Sequence, residues 1–224
     1  MSHIVTLCPP AHGHINPLAC LGRELQARGH RVSMPQLLDM EETVARTGLE
    51  YFFLGEKEFP RGWLPGFEAR LGSLHGPAAS RCTLQAAALA VAATLRNAAH
   101  IQDLRADLVI VDQFFWSGSS VAGHFALPFI TLCASHTMIR ESTIPPSCMS
   151  WRYSTSLPAV LRNQPGYAAT DPMVRPLVKA LNELPSEWRL KPIRRLDACF
   201  SQLNPLKHGQ IRNDSMTEVS VFLG

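Results

Sequence analysis

Short apolar runs alternate with amphipathic stretches along most of the chain. Ile4 to Leu7 is an apolar, β-prone run closed by Pro9-Pro10. After the loop Ala11-His12-Gly13-His14-Ile15 the period changes. Leu18, Leu21 and Leu25 share one helical face, Asn16 is placed to cap the helix, Pro17 fits its first position, and Gly29 follows Arg28 as a stop. Arg31-Val32-Ser33-Met34 is the next strand. Residues 3–34 therefore read as strand, loop, helix, strand, the opening unit of a parallel α/β sheet.

The alternation continues. Glu41 to Arg46 is a short helix ended near Gly48, and Leu49 to Leu54 is an apolar strand containing Tyr51, Phe52 and Phe53. Residues 55–77 hold five glycines and three prolines and are expected to form a long loop. Ser80 to Asp103 reads as one alanine-rich helix, and Asp107 to Val111 as a strand buried on both faces. Ser117 to Phe125 is a helix and Leu127 to Leu132 a strand. Residues 141–175 are proline-rich and are expected to be irregular, with a helix from Pro176 to Leu184. From Asn204 to Gly224 no period of either kind is sustained. The predicted fold is α/β: a doubly wound parallel sheet with strands near 3–8, 30–34, 49–54, 107–111 and 127–132 and helices on both faces.

Composition narrows the classes. With 224 residues, 46% of them hydrophobic and 17% charged, the chain can bury a sizeable core and is not of disordered type. The net charge of +3 comes from 21 basic and 18 acidic residues with no basic block, so nucleic acid is not an expected partner. The amino terminus lacks a signal-peptide pattern. The longest apolar stretch, Leu84 to Leu95, is too short for a bilayer. The six cysteines are scattered without a C-x-x-C pair and read as buried thiols, which points to the cytoplasm.

Two residues stand where chemistry is expected. In an open α/β sheet, ligands bind at the carboxyl ends of strands where the strand order switches direction. His14 follows the first strand, and an imidazole there can take a proton near neutral pH. Asp112 follows the strand 107–111, the fourth in chain order. In the usual order the first and fourth strands are neighbours, so His14 and Asp112 would project into one cleft. A carboxylate on one ring nitrogen fixes the tautomer and steadies the imidazolium that forms. Taken singly, His14 fits a helix cap as well as a catalytic role and Asp112 fits an N-cap better; the pairing favours function. Phe114, Phe115 and Trp116 are placed to wall an apolar pocket. His12-x-His14 with Cys8 lacks the fourth ligand a structural zinc site wants, and a lone Gly13 does not make a dinucleotide loop, so neither metal nor cofactor is expected. His124 and His136 read as structural or surface residues; of the two, His136, just after the strand 127–132, is the better site candidate.

The block Ala11-His12-Gly13-His14-Ile15-Asn16-Pro17-Leu18, with Ile4-Val5-Thr6-Leu7 before it and Leu25-x-x-Arg28-Gly29-His30-Arg31-Val32 after it, resembles the amino-terminal signature of family 1 UDP-glycosyltransferases of the GT-B fold, bacterial type. Asp107 to Gln113 with Ala126-Leu127-Pro128 resembles a second landmark of that family. Leu161 to Tyr167 and Glu187-Trp188 resemble the branch with zeaxanthin glucosyltransferase-like enzymes. The resemblance covers residues 3 to about 203 and implies a Rossmann-like acceptor domain, the amino-terminal half of a GT-B fold, over 1–203. It implies that His14 is the general base for an acceptor hydroxyl and that Asp112 orients it. Phe115, Trp116 and His136 would contact an apolar acceptor. The sugar would come from a UDP-sugar co-substrate, with inversion and without a metal.

The family's second domain carries a histidine- and glycine-rich diphosphate motif near H-x-G-x-x-S/T, and this sequence has none. Residues 204–224 do not resemble the family and are expected to be a poorly ordered tail, the product of a frameshift or early stop. The leading expectation is therefore a glycosyltransferase acceptor domain that is inactive alone. The alternatives are a ligand-binding module, a half-enzyme working with a separate donor-domain subunit, and a decayed product.

Overall fold

The computed structural model describes residues 1–134, 138–183 and 188–201. Five parallel strands form one sheet: β1 (His3–Leu7), β2 (Arg31–Gln36), β3 (Glu50–Phe53), β4 (Leu108–Asp112) and β5 (Phe129–Leu132), in the order β3-β2-β1-β4-β5. The predicted α/β class and all five strands are present, each within a few residues of its expected ends. Side chains alternate between two cores, as a strand's period of two requires. Ile4, Leu108 and Ile110 point to one side with Val32 and Met34; Val5, Leu7, Val109 and Val111 point to the other. A sheet covered on both faces needs near-continuous apolar strands, and β1 and β4 are buried at every position.

The first helix begins earlier than its capping signals suggest. α1 spans His12–Ala27, its first turn closed by the Ala11 carbonyl, which accepts from the N–H groups of His14 and Ile15, both at 2.9 Å. Pro17 thus lies inside the helix, and Asn16 is not the cap. Pro17 has no N–H to donate to the Gly13 carbonyl, so one bond of the ladder is missing just beyond the first turn. The consequence is that His14 sits on a helical turn. Ile15, Leu18 and Leu25 are fully buried beneath α1, each contributing about 1.5–3 kcal/mol of transfer free energy.

Three other expectations are corrected. Within residues 55–77 lies a helix, α3 (Trp63–Gly72), which follows the short α2 (Glu41–Ala45). The glycines and prolines outweighed the apolar spacing of Trp63, Leu64, Phe67 and Leu71 in the sequence reading. The alanine-rich segment is two helices, α4 (Gly76–Arg96) and α5 (Ala98–Asp103), broken at Asn97, whose side-chain amide donates to the Ala93 carbonyl at 2.9 Å. After α6 (Ser117–His124), residues 157–182 form one continuous helix, α7 (Leu157–Asn182), where irregular chain was expected up to 175. Pro158, Pro165, Pro172 and Pro176 fall on one exposed face of α7, spaced so that the carbonyls they leave unpaired face water. The opposite face buries Ala159, Asn163, Gly166, Leu177, Ala180 and Leu181.

Among the described residues, α4 is the one helix long and apolar enough to cross a bilayer. It is longer than the stretch singled out in the sequence. In the fold it packs against α7 and α6, with Val91, Leu95 and neighbouring alanines in the core. The tail at 204–224 and His136 lie outside the described residues.

Close approach fixes two of the layers. A Cβ on Gly118 of α6 would stand 2.6 Å and 2.9 Å from the two γ-carbons of buried Val111, whereas one on Gly66 of α3 would meet nothing within 4 Å. Gly118→Ala is expected to destabilise the chain by about 1–3 kcal/mol through overpacking. Gly66→Ala is expected to stabilise it by about 0.5–1 kcal/mol through helix propensity. Urea denaturation of the two variants checks this; equal effects would contradict the packing of α6 on β4.

Candidate active site

β1 and β4 are adjacent and in parallel register, with Leu7 opposite Val111. The order runs from β1 towards β2 and β3 on one side and from β4 towards β5 on the other, so the switch in direction lies between them. The chain leaving β1 turns through Cys8 to Ala11 into the first turn of α1, while β4 ends at Asp112. His14 and Asp112 meet there. The His14 Nδ1–H donates to Asp112 Oδ2 at 3.0 Å. The second carboxylate oxygen accepts from the Phe114 backbone N–H at 2.8 Å. Asp112 is 0% exposed and His14 22% exposed, so the carboxylate is sealed off while the imidazole keeps access to solvent.

A carboxylate only accepts, so Nδ1 carries the proton and Nε2 is left with its lone pair. The edge of Phe114 packs on the imidazole, centroids 5.3 Å apart at 65°, and its own ring meets Trp116 at 5.7 Å. Orientation is thereby set from two directions: by the charge-assisted hydrogen bond and by the aromatic contact.

His14 lines a cavity of about 390 Å³. Phe114, Phe115 and Trp116 contribute to it, as the sequence led one to expect. The opposite wall was not foreseen. It comes from Phe59, Trp63 and Phe67, in which Trp63 meets Phe59 edge-on at 4.6 Å and stacks on Phe67 at 5.2 Å and 7°. Their four-residue spacing was the available signal, masked by the glycines around it. The floor is α4, through Ala86, Ala87 and Ala90, whose small side chains leave the space open. The lining is predominantly apolar with a few polar groups, the usual character of a small-molecule site.

Cys8 and Gln36 stand beside the pair. Gln36 Nε2 donates to the Cys8 carbonyl at 2.8 Å and lies 3.3 Å from its sulfur. Burial, with the Asp112 charge adding to it, pushes the Cys8 thiol up to about 12, so it stays a neutral wall group. His12 is exposed. Among the described residues no three His, Cys, Asp or Glu side chains gather as a metal would require. The expectation that the cysteines are buried holds for Cys8, Cys82 and Cys199 but not for Cys20 and Cys148, which are exposed on helix and loop surfaces. His124 stacks on Trp188 at 4.2 Å and 4°, away from the cavity, in keeping with a structural role. A separate contact, His3 Nε2 to the Ser33 hydroxyl at 2.6 Å, lies at the amino-terminal edge of the sheet with both residues buried; it ties β1 to β2.

Cys8 keeps its proton up to about 12, Tyr51 up to about 12 and Cys199 up to about 11, each mainly because burial disfavours the anion. The unfolded chain ionises them at lower pH. Their contribution to stability is thus fully present below about pH 9 and is lost as the pH rises from there towards 11 and 12. The urea midpoint is expected to fall steadily above pH 9, and less steeply in Cys8→Ala. A midpoint unchanged up to pH 11 would contradict the burial of these groups.

No family model matches the chain. In sequence it is 29% identical over 203 residues to a zeaxanthin glucosyltransferase of Pantoea ananas, a match covering 91% of this chain and 47% of that protein. It is 29% identical over 213 residues to the zeaxanthin glucosyltransferase of Pseudescherichia vulneris, covering 91% and 48%. A demethyllactenocin mycarosyltransferase of Streptomyces fradiae is 30% identical over 139 residues, 61% of this chain and 30% of that one. The chain spans about half the length of the zeaxanthin glucosyltransferases it matches. In fold it is similar to the spinosyn forosaminyltransferase SpnP, with a TM-score of 0.51 at 16% identity, over 88% of this chain and 43% of that chain.

Proposed function

We propose, for a chain homologous to GT-B glycosyltransferases, that it is the acceptor-binding half of an enzyme that transfers a sugar to a hydroxyl of an apolar small molecule. The observation that carries this reading is the His14–Asp112 hydrogen bond, 3.0 Å long, at the mouth of an apolar cavity on the switch point of the sheet. The acceptor lies between the Trp63 ladder and the Phe114–Trp116 wall with its hydroxyl at Nε2 of His14. As the oxygen attacks the anomeric carbon of a UDP-sugar from the side opposite the leaving group, Nε2 takes the hydroxyl proton. The new carbon–oxygen bond forms as the bond to the diphosphate breaks, UDP departs with the electron pair, and the anomeric configuration inverts.

Asp112 keeps its hydrogen bond to Nδ1 throughout. It holds the tautomer and balances the imidazolium. Removing one proton at the moment of attack is worth about 10²–10⁴-fold in rate for a well-placed base. No residue of this chain is assigned to the donor diphosphate, and transfer is expected to require a donor domain in the same reaction. Phe115 and Trp116 are acceptor contacts in this reading, and the same role is proposed for His136.

The test joins residues 1–201 to the donor-binding half of a zeaxanthin glucosyltransferase. In that chimera His14→Ala is expected to lower turnover by about 10²–10⁴-fold while acceptor affinity changes little. Loss of acceptor affinity with turnover preserved at saturation would make His14 a binding group and overturn the assignment.

A further inference from the structure

The cavity beside His14 adjoins a neighbour. A second cavity, of about 650 Å³, opens between α4, α7 and the loop containing Arg140 and Pro146. Thr83 of α4 lines both. Along α4 the second cavity is lined from Ala79 to Leu84 and the first from Thr83 to Thr94. At 1.5 Å of rise per residue, those fifteen residue steps make a trough about 22 Å long. The alanine bias of this helix, evident in the sequence, thereby gains a role: small side chains keep the first part of the trough open.

The two ends differ in chemistry. The first cavity is mainly apolar, its polar lining being His14, Gln36, Glu68, Ser117 and two threonines of α4. The second contains Arg140, which pairs with Asp171 at 2.9 Å and covers the Tyr167 ring at 4.5 Å, and Arg195, which pairs with Asp197. Arg175 and Arg194 also line it, and neither has an ion-pair partner among the described residues. Two of these cations are paired and, among the described residues, the exposed Arg175 and Arg194 are not, so this end favours a group rich in acceptor oxygens.

We propose that the second cavity is a far-end subsite: it takes the distal, oxygen-bearing end of an elongated apolar acceptor whose near hydroxyl lies at His14. Arg175 and Arg194 hold that end, and Thr83 is the point at which the acceptor passes from one cavity to the other. This inference rests on the first cavity being the acceptor site. Acceptors shorter than the trough engage only the first cavity and gain nothing from the arginines.

Calorimetric titration with three probes separates the possibilities: decanol, palmityl alcohol and ω-hydroxypalmitate. Wild type is expected to bind all three, ω-hydroxypalmitate most tightly. Thr83→Phe fills the junction at an exposed helical position and leaves the core untouched. It is expected to weaken ω-hydroxypalmitate by about tenfold or more and decanol by clearly less, since Thr83 also lines the first cavity. Arg175→Gln combined with Arg194→Gln is expected to remove the preference for ω-hydroxypalmitate over palmityl alcohol, a loss of about tenfold for charge-assisted hydrogen bonds. Decanol binding that survives beside ω-hydroxypalmitate binding indifferent to Thr83→Phe would overturn the far-end subsite alone. Absence of decanol binding to wild type would overturn the acceptor reading and this proposal with it. Equal binding of the two long probes to wild type would overturn the role of the arginines.

Discussion

A carboxylate that is wholly withdrawn from water must be satisfied by the protein, and at Asp112 the two groups that do so define the site. One oxygen takes the Phe114 N–H and the other the imidazole of His14. Burying such a charge is costly, and removing a partner from it costs more than a comparable surface contact contributes. The register of β1 on β4, the early start of α1 and the turn after β4 all meet at this carboxylate. Displace any of them and a buried charge loses its partner. The same constraint leaves Nε2 as the one basic nitrogen of that ring, so the demands of folding and the demands of proton transfer are met by one hydrogen bond.

Around this pair the protein supplies shape more than charge. The Phe59–Trp63–Phe67 ladder and the aromatic turn after Asp112 form facing walls, and the alanines of α4 form the floor. Cys8, although close, is kept neutral by burial and by the Asp112 charge and adds no competing nucleophile. Gly118 pressed on Val111 and Gly166 against Trp151 show how tightly the helices behind the site are seated. A base needs a fixed position relative to its substrate, and rigid packing behind it provides one.

The sheet was legible because buried parallel strands write themselves as uninterrupted apolar runs, and the loop carrying His14 was legible because strand, turn and helix signals follow in order. The His14–Asp112 pairing came from topology, since first and fourth strands neighbour each other in this order. What was hidden has specific causes. Pro158, Pro165 and Pro172 concealed the first part of α7, because their spacing on one exposed face, which makes them tolerable, is visible only once the helix is drawn. Glycines concealed α3, and with it the wall containing Trp63. Pro17 looked like a helix start because proline favours the first turn, yet here that turn had already formed. The trough along α4 depends on how α7 crosses it, a contact between segments far apart in sequence.

The central claim is that Asp112 holds His14 with its proton on Nδ1 and its lone pair on Nε2. Nitrogen NMR of the histidine side chains, with His14 assigned by the His14→Gln variant, reads that tautomer directly. The account expects a neutral imidazole protonated at Nδ1 in the native chain, and a mixture shifted towards Nε2–H in Asp112→Ala. A ring protonated at Nε2 in the native chain, or a tautomer indifferent to Asp112→Ala, would contradict it.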